Sequence, residues 1–453
     1  MQGMLDFGTL RRLVSEGQID TVLAVFPDHI GRLLGKRVTG HYFVEHLLDH
    51  GMPACNYLLT ADMEMEPLPG FAYTSWDKGY GDFRGRPDLA TLRHVPWLEK
   101  TAMVLCDLVD EQTGQPVELA PRQILRRQIR KAEDAGMVIM AGSELEFYLY
   151  EETYRSARQK RYRNLVPGSD YLIDYHILDP GKDEDLIRRI RNNMDAAGIP
   201  VEFSKGEWGF GQHEINLRYA EALEMADRHV IYKHGAREMA TQCGRAISFM
   251  AKIDRKAAGS SCHVHLSAWD RQRSKSLFGS GGQPTEVFRY FLGGMMAAAR
   301  EMALFSAPTV NSYKRFQAGS FAPTRVAWGR DNRTCGFRIV GHDAAMRVEC
   351  RIPGADINPY LTYAAAIAAG LNGVDKKIEP PAEFTGDAYH ATDVPEVPKT
   401  LHEAVDEFER SPLARRAFGD EVVEHYARLA RLEQEAFDRE VTDWELMRYF
   451  ERI

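Results

Sequence analysis

The chain has 453 residues, too many for one ordinary core, so two domains are expected. It is 44% hydrophobic with a formal net charge of −8, enough apolar mass for a large core and no basic footprint for nucleic acid. No apolar run is long enough to span a bilayer, Met1 to Leu10 lacks a basic-then-apolar leader pattern, and the six cysteines form no CxxC pair, so reduced thiols in a cytoplasmic protein are expected.

Leu5 to Glu16 reads as a short helix, Ile19 to Phe26 as a strand, Pro27 to Gly31 as a turn and Leu34 to Thr39 as the returning strand. Tyr42 to His50 reads as a helix closed by Gly51, and Met103 to Val109 as a further strand. A hairpin followed by a helix predicts a small mixed domain. The polar turn Glu111 to Pro116 marks its end, so residues 1–116 and 117–453 are read as two domains. Pro121 to Ala135 is an amphipathic helix with Pro at its start and Gly136 just past its end. A strand from Met137 to Tyr150 follows. Arg155 to Arg163 is basic and polar and reads as a solvated loop. Asp183 to Ala197, Ala222 to Cys243, Pro359 to Leu371 and Glu421 to Glu451 read as helices. Ser248 to Lys252, Cys262 to Ser267, Phe337 to Val340 and Met346 to Ile352 read as strands. The chain shows no internal repeat and no low-complexity segment.

The chemistry centres on Glu207-Trp-Gly-Phe-Gly-Gln-His-Glu214. Gly209 and Gly211 free the backbone, so Glu207 and Glu214 can point into one small volume. Like charges held close repel, and a hard divalent cation relieves them. Side chains on a strand alternate faces, so Glu144 shares a face with Glu146, His263 with His265 and Ser267, and Arg347 with Glu349 and Arg351. Together these stretches hold five carboxylates and two imidazoles, which suits two divalent cations. Arginines beside cations have a purpose only if anions bind too, and phosphates and carboxylates are what Arg grips through paired hydrogen bonds. Arg315 and Arg333 fall on loops, where arginines are ordinarily solvated.

The set GSELEF, the Glu207 to Glu214 loop, GSSCHVHLS, NSYKR, DNRT, RVECR and Asn358-Pro-Tyr-Leu361 resembles glutamine synthetase, in that family's order and over nearly the whole chain. The resemblance implies an α+β protein with an N-terminal β-grasp domain and a catalytic domain built on a curved antiparallel sheet. It also implies stacked rings, commonly a homododecamer, with sites between subunits. ATP and two to three Mg²⁺ or Mn²⁺ per subunit are implied as well. By position, Glu146, Glu207 and Glu214 resemble the ligands of the first cation, and Glu144, His263 and Glu349 those of the second. His265, Ser267 and Arg347 resemble nucleotide contacts. Arg315 and Arg351, with Gly259 beside them, resemble the glutamate-binding residues, and Arg333 and Arg338 the arginines around the transferring phosphoryl group. The implied reaction phosphorylates the γ-carboxylate of glutamate and then lets an amine displace phosphate.

Two departures bear on that amine. The glutamate that holds ammonium in glutamine synthetase lies six residues past the NSYKR arginine; here that position is Phe321. The family's N-terminal Asp-Gly-Ser-Ser is absent, and Asp77, Asp82 and Asp88 do not match it. A phenyl in place of a carboxylate removes the charge that binds a small cation. It offers an apolar wall worth about 0.8 kcal/mol per buried CH₂. The pattern is therefore similar to the γ-glutamyl-amine ligases of the family, and a small organic amine is the expected partner of glutamate. An alkylamine with a pKa of about 10.4 needs a base, for which Asp82 or Glu207 is available, whereas an aromatic amine needs none. Ala258, Phe210 and Tyr389 are lesser departures. The rival readings are an ammonium-using glutamine synthetase, a non-catalytic relative of the fold, and phosphoryl transfer to a guanidino group.

Overall fold

The computed structural model describes residues 3–453; Met1 and Gln2, at the head of the stretch without a leader pattern, lie outside the described residues. In the first part of the chain, β1 (Thr21–Pro27) and β2 (Leu33–Thr39) form an antiparallel hairpin. Asp28 closes its turn, accepting the Arg32 N–H at 2.7 Å. The later β6 (Thr101–Asp110) runs parallel beside β1, while β3 (Met52–Cys55) and β4 (Asp82–Pro87) extend the sheet and β5 (Arg93–His94) pairs with β6. The strand order is β2-β1-β6-β4-β3. The helix expected over Tyr42 to His50 runs from Gly40 and carries a π-turn at Phe43–Leu47.

The rest of the chain is organised by a second sheet. Its central strand is β7 (Met137–Tyr150), flanked by β9 (Gln212–Leu217) and then β8 (Val201–Gly206) on one side. On the other side follow β12 (Cys262–Asp270), β17 (Arg347–Cys350), β16 (Phe337–Val340) and β15 (Trp328–Arg330). Short strands β10 (Ala220–Glu221) and β11 (Ala246–Ser248) also pair with β7, and β13 (Gly279–Ser280) with β14 (Gln283–Pro284) makes a separate hairpin. All pairs in this second sheet are antiparallel except β15 with β16. Helices Pro121–Asp134 and Ala222–Gln242 pack on β7. Arg122, at the start of the first helix, is buried and ion-pairs with Asp227 of the second at 2.9 Å. It also pairs with Asp88 at 2.8 Å and Asp107 at 2.5 Å, from the first part of the chain. That buried knot joins the two sheets through charge as well as apolar contact.

Several expectations are corrected. Arg155 to Arg163 is not all loop: Tyr154–Gln159 is helical, because Thr153 Oγ1 accepts the Ser156 N–H at 3.0 Å and caps it. The run Glu421 to Glu451 breaks into Asp420–Asp438 and Asp443–Tyr449, with a new capping box between Thr442 and Glu445. The strand expected over Ser248 to Lys252 lies earlier, as β11. Helices Glu286–Ala297, Leu401–Arg410 and Pro412–Phe418 and strands β3, β4, β8 and β9 were not predicted. β9 reads Gln-His-Glu-Ile-Asn-Leu, a polar sequence that is buried throughout, so its composition conceals a strand. Among the described residues no helix is long and apolar enough to cross a membrane.

Candidate active site

Strand register assembles the site. Glu146 on β7 lies opposite Glu214 on β9, which lies opposite Lys205 on β8. Glu144 lies opposite His263 on β12, and His265 lies opposite Glu349 on β17, itself opposite Arg338 on β16. Directly opposed residues project to the same face, so one face of the sheet carries all of these groups. The glycine loop completes it. Gly211 takes a positive φ of 70°, and a Cβ at Gly209 would meet Tyr148 Oη at 2.1 Å.

Two donor sets converge. Glu144, His263 and Glu349 place ligand atoms within 4.8 Å of one another, as do Glu146, Glu214 and His263. His263 Nδ1 lies 3.1 Å from Glu144 and 3.6 Å from Glu349, while its buried Nε2 has no protein partner. Burial and the Glu207 charge push the Glu146 carboxyl up to about 8, although it accepts the Ser261 N–H at 2.8 Å. Burial and the charges of Glu207, Glu144 and Glu146 raise Glu214 well above the ordinary carboxylate range. Glu349 behaves oppositely: burial would raise it, but the imidazoles of His263 and His265 and the Arg351 guanidinium bring it down to about 2. Burial and Arg351 lower His263 to about 4, leaving a neutral imidazole, the form that ligates metal. Crowded carboxylates with an orphaned imidazole nitrogen fit a hard divalent cation. Glu207 stands apart from both tight sets and is ion-paired to Lys205.

The arginines divide. Arg338 donates to Glu349 at 2.9 Å and pairs with Asp331; Arg351 also contacts Glu349 and donates to the Phe321 carbonyl at 3.3 Å. Arg333 is exposed in a hollow of about 390 Å³ that it shares with Asp331 and Asn332. Arg315 is only 1% exposed; it donates to Ser261 Oγ at 3.1 Å and to the carbonyls of Arg351 and Ile352. Gly259 makes room for it, since a Cβ there would lie 2.4 Å from Arg315 Cγ. Arg315 thus braces the backbone at Arg351 and Ile352, just past the end of β17. Asp88, one of the N-terminal aspartates near the missing ammonium-site stretch, is committed to Arg122 and Arg126.

A cavity of about 550 Å³ opens beside Glu144, His265, Ser267 and Arg347. Arg347 Nε donates to His265 Nδ1 at 3.2 Å, and Ser267 Oγ accepts from Trp269 Nε1 at 3.1 Å. Sequence reasoning missed its aromatic lining of Trp269, Tyr219 and Phe203. Trp269 continues the alternation of His263, His265 and Ser267, so period two would have found it. At the other end, Phe321 and Trp208 meet edge-to-face with ring centroids 6.0 Å apart, 50% and 51% exposed. Trp208 directly follows Glu207, so this aromatic corner adjoins the carboxylates.

Residues 118–449 match the family model for the glutamine synthetase catalytic domain, nearly three-quarters of the chain. The chain belongs to the glutamine synthetase family. It is 51% identical to the gamma-glutamylethanolamide synthetase GlnA4 of Streptomyces coelicolor, over 98% of this chain and 95% of that one. It is 38% identical to the glutamate–isopropylamine ligase of a Pseudomonas species, over 98% of both. Among solved structures, the ligand-free form of the protein GmaS superposes with a TM-score of 0.84 at 27% identity, covering 97% of this chain and 98% of that chain. Within the glutamine synthetase family, the chain therefore sits with the γ-glutamyl-amine ligase branch.

Proposed function

We propose that the protein is an ATP-dependent ligase joining the γ-carboxyl of glutamate to a small organic amine. The observation that carries the amine is the aromatic corner of Phe321 and Trp208 beside Glu207, where ammonium chemistry would want a carboxylate. The γ-carboxylate oxygen attacks the terminal phosphorus of ATP and ADP leaves. The amine nitrogen then attacks the acyl carbon, phosphate leaves and the nitrogen loses a proton. Glu144, His263 and Glu349, and Glu146, Glu207 and Glu214, would hold two divalent cations, with Mg²⁺ or Mn²⁺ as the proposed ions and a third as the upper count. When bound they neutralise charge on the phosphoryl oxygens.

The residues' own work follows from where they sit. His265, Ser267 and Arg347 line the cavity that would take the nucleotide. Arg338 and Arg333 flank the path of the moving phosphoryl group, where fixed positive charge stabilises the transition state. Arg351 would grip a substrate carboxylate once a cation takes over Glu349, and Arg315 with Gly259 fixes the backbone that carries it. Stacked rings, as a homododecamer, and cytoplasmic residence complete the reading; six free thiols support the latter. The test is ATP-dependent phosphate release with glutamate and a panel of ethanolamine, isopropylamine, aniline and ammonium. Organic amines should exceed ammonium at equal millimolar concentration. Preference for ammonium would return the protein to glutamine synthetase proper, and no turnover with any of them would favour a non-catalytic relative.

A further inference from the structure

The two parts of the chain meet around a cavity of about 120 Å³ that shares no residue with the carboxylate face. His29 and Ile30 of the β1–β2 turn and the 62–68 loop contribute to its wall from the first part, and helix Asp420–Asp438 from the second. Much of the lining is apolar, with Leu304, Leu361 and Leu429 on it. Three carboxylates, Asp62, Glu64 and Glu433, line it too, and among the described residues none of them has an ion-pair partner. Asp62 commits one oxygen to the Glu66 N–H at 2.8 Å. His29 Nδ1, on the same wall, is buried without a hydrogen-bond partner.

The neighbouring cations are committed elsewhere. Arg32, which reaches the 62–68 loop, pairs with Asp28 at 2.7 Å and donates to the Met63 carbonyl at 2.6 Å and the Asp62 carbonyl at 3.1 Å. Arg428 and Arg431, on the helix that carries Glu433, pair with Glu435 at 3.8 Å and Asp406 at 2.8 Å. Burial and the charges of Glu64 and Asp62 accordingly raise the Glu433 carboxyl above its ordinary range. With Arg32 balanced by Asp28, the wall keeps a net negative charge. A bare metal ion matches it poorly: among the described residues the donor sets that gather within 4.8 Å lie at the active site, and Asp62, Glu64 and Glu433 form no such set. An organic ammonium matches both features, since carboxylates spread along a wall can take its N–H donors while its carbon tail lies against the leucines. We propose that this cavity binds a primary ammonium with a short apolar tail. A cavity of about 150 Å³ takes a benzene ring, so one of about 120 Å³ suits a tail of isobutyl size. In its Nε2–H tautomer His29 accepts a further N–H through Nδ1. The site stands independently of the ligase reading, because its walls and charges lie outside the catalytic set.

The experiment is calorimetric titration of the full chain, without ATP or glutamate, at about pH 8, where a primary amine with a pKa of about 10.4 is protonated. Isobutylamine should bind saturably, isobutanol at least about tenfold more weakly, and isovalerate not at all. Glu433→Gln should weaken isobutylamine by about tenfold, the loss of one charge-assisted hydrogen bond. Ala430→Leu, which narrows the cavity, should weaken it too, whereas Phe321→Ala should keep it. No saturable binding of isobutylamine, equal binding of isobutanol, or an unchanged affinity in Glu433→Gln would each overturn the proposal. Binding that Phe321→Ala abolishes would also overturn it, by placing the amine at the active site. The wild-type comparison of amine with alcohol decides even if Ala430→Leu does not fold.

Discussion

Truncating Phe321 to alanine isolates the wall that selects organic amines. The ring is half exposed, and a phenylalanine side chain offers about 150–250 Å², so about 100 Å² of it faces the slot. At about 25 cal/mol per Å², and with an amine tail covering half of that area, the wall contributes about 1–1.5 kcal/mol. Phe321→Ala should therefore lower kcat/KM for isopropylamine about tenfold while moving ammonium by less than about twofold. Phe321 also sits at a positive φ of 59°, a conformation that costs a side-chain-bearing residue about 1 kcal/mol. Phe321→Gly separates the two effects: it should lose the same selectivity as alanine while being easier to fold. Phe321→Glu should go further and raise ammonium use relative to organic amines, by restoring a carboxylate where a small cation binds. The assay is coupled ADP release over an alkylamine series of increasing length. A wild-type slope per methylene that persists unchanged in Phe321→Ala would refute the wall, and an unchanged ammonium ratio in Phe321→Glu would remove this position from amine choice.

Glu349→Ala should abolish turnover, because a buried ligand is lost and Arg338 and Arg351 are left with no carboxylate between them; near-normal activity would refute its assignment. Lys233 supplies a pH prediction away from the site. It is buried, donates to the Ala355 carbonyl at 2.7 Å, and burial lowers it from 10.5 to about 7. Between pH 7 and about 10.5 the unfolded chain holds the proton more tightly than the native one, so this group makes stability rise with pH across that window and adds no slope below it. The urea midpoint of wild type relative to Lys233→Met should climb from pH 7 to 9; a flat or falling difference contradicts the shift.

How much was legible in the chain depends on where the information resides. β7 was read to the residue because Gly136 stops the preceding helix and fourteen residues then run uninterrupted as strand. Glu144 with Glu146 and His263 with His265 were grouped from period two alone. Cross-strand register was not readable: nothing local says that Lys205 faces Glu214 or that Asp174, 31 residues upstream, reaches Lys205. β9 is hard to read because its site-facing residues Gln212, Glu214 and Asn216 give it a polar composition, and only Ile215 and Leu217 mark the apolar face. Arg315 read as a loop arginine available to ligand, yet Gly259 lets the chain close over it. The basic run after Thr153 read as loop because its short helix is set by one capping hydroxyl, not by an apolar stripe.

In the proposed reaction the γ-carboxyl of glutamate is activated by phosphorylation and then captured by an organic amine. It is tested most directly with glutamate carrying oxygen-18 in that carboxyl, turned over with ATP and ethanolamine. One labelled oxygen should leave in the phosphate for each γ-glutamyl amide formed. Unlabelled phosphate, or labelled phosphate with no amide of the organic amine, contradicts it.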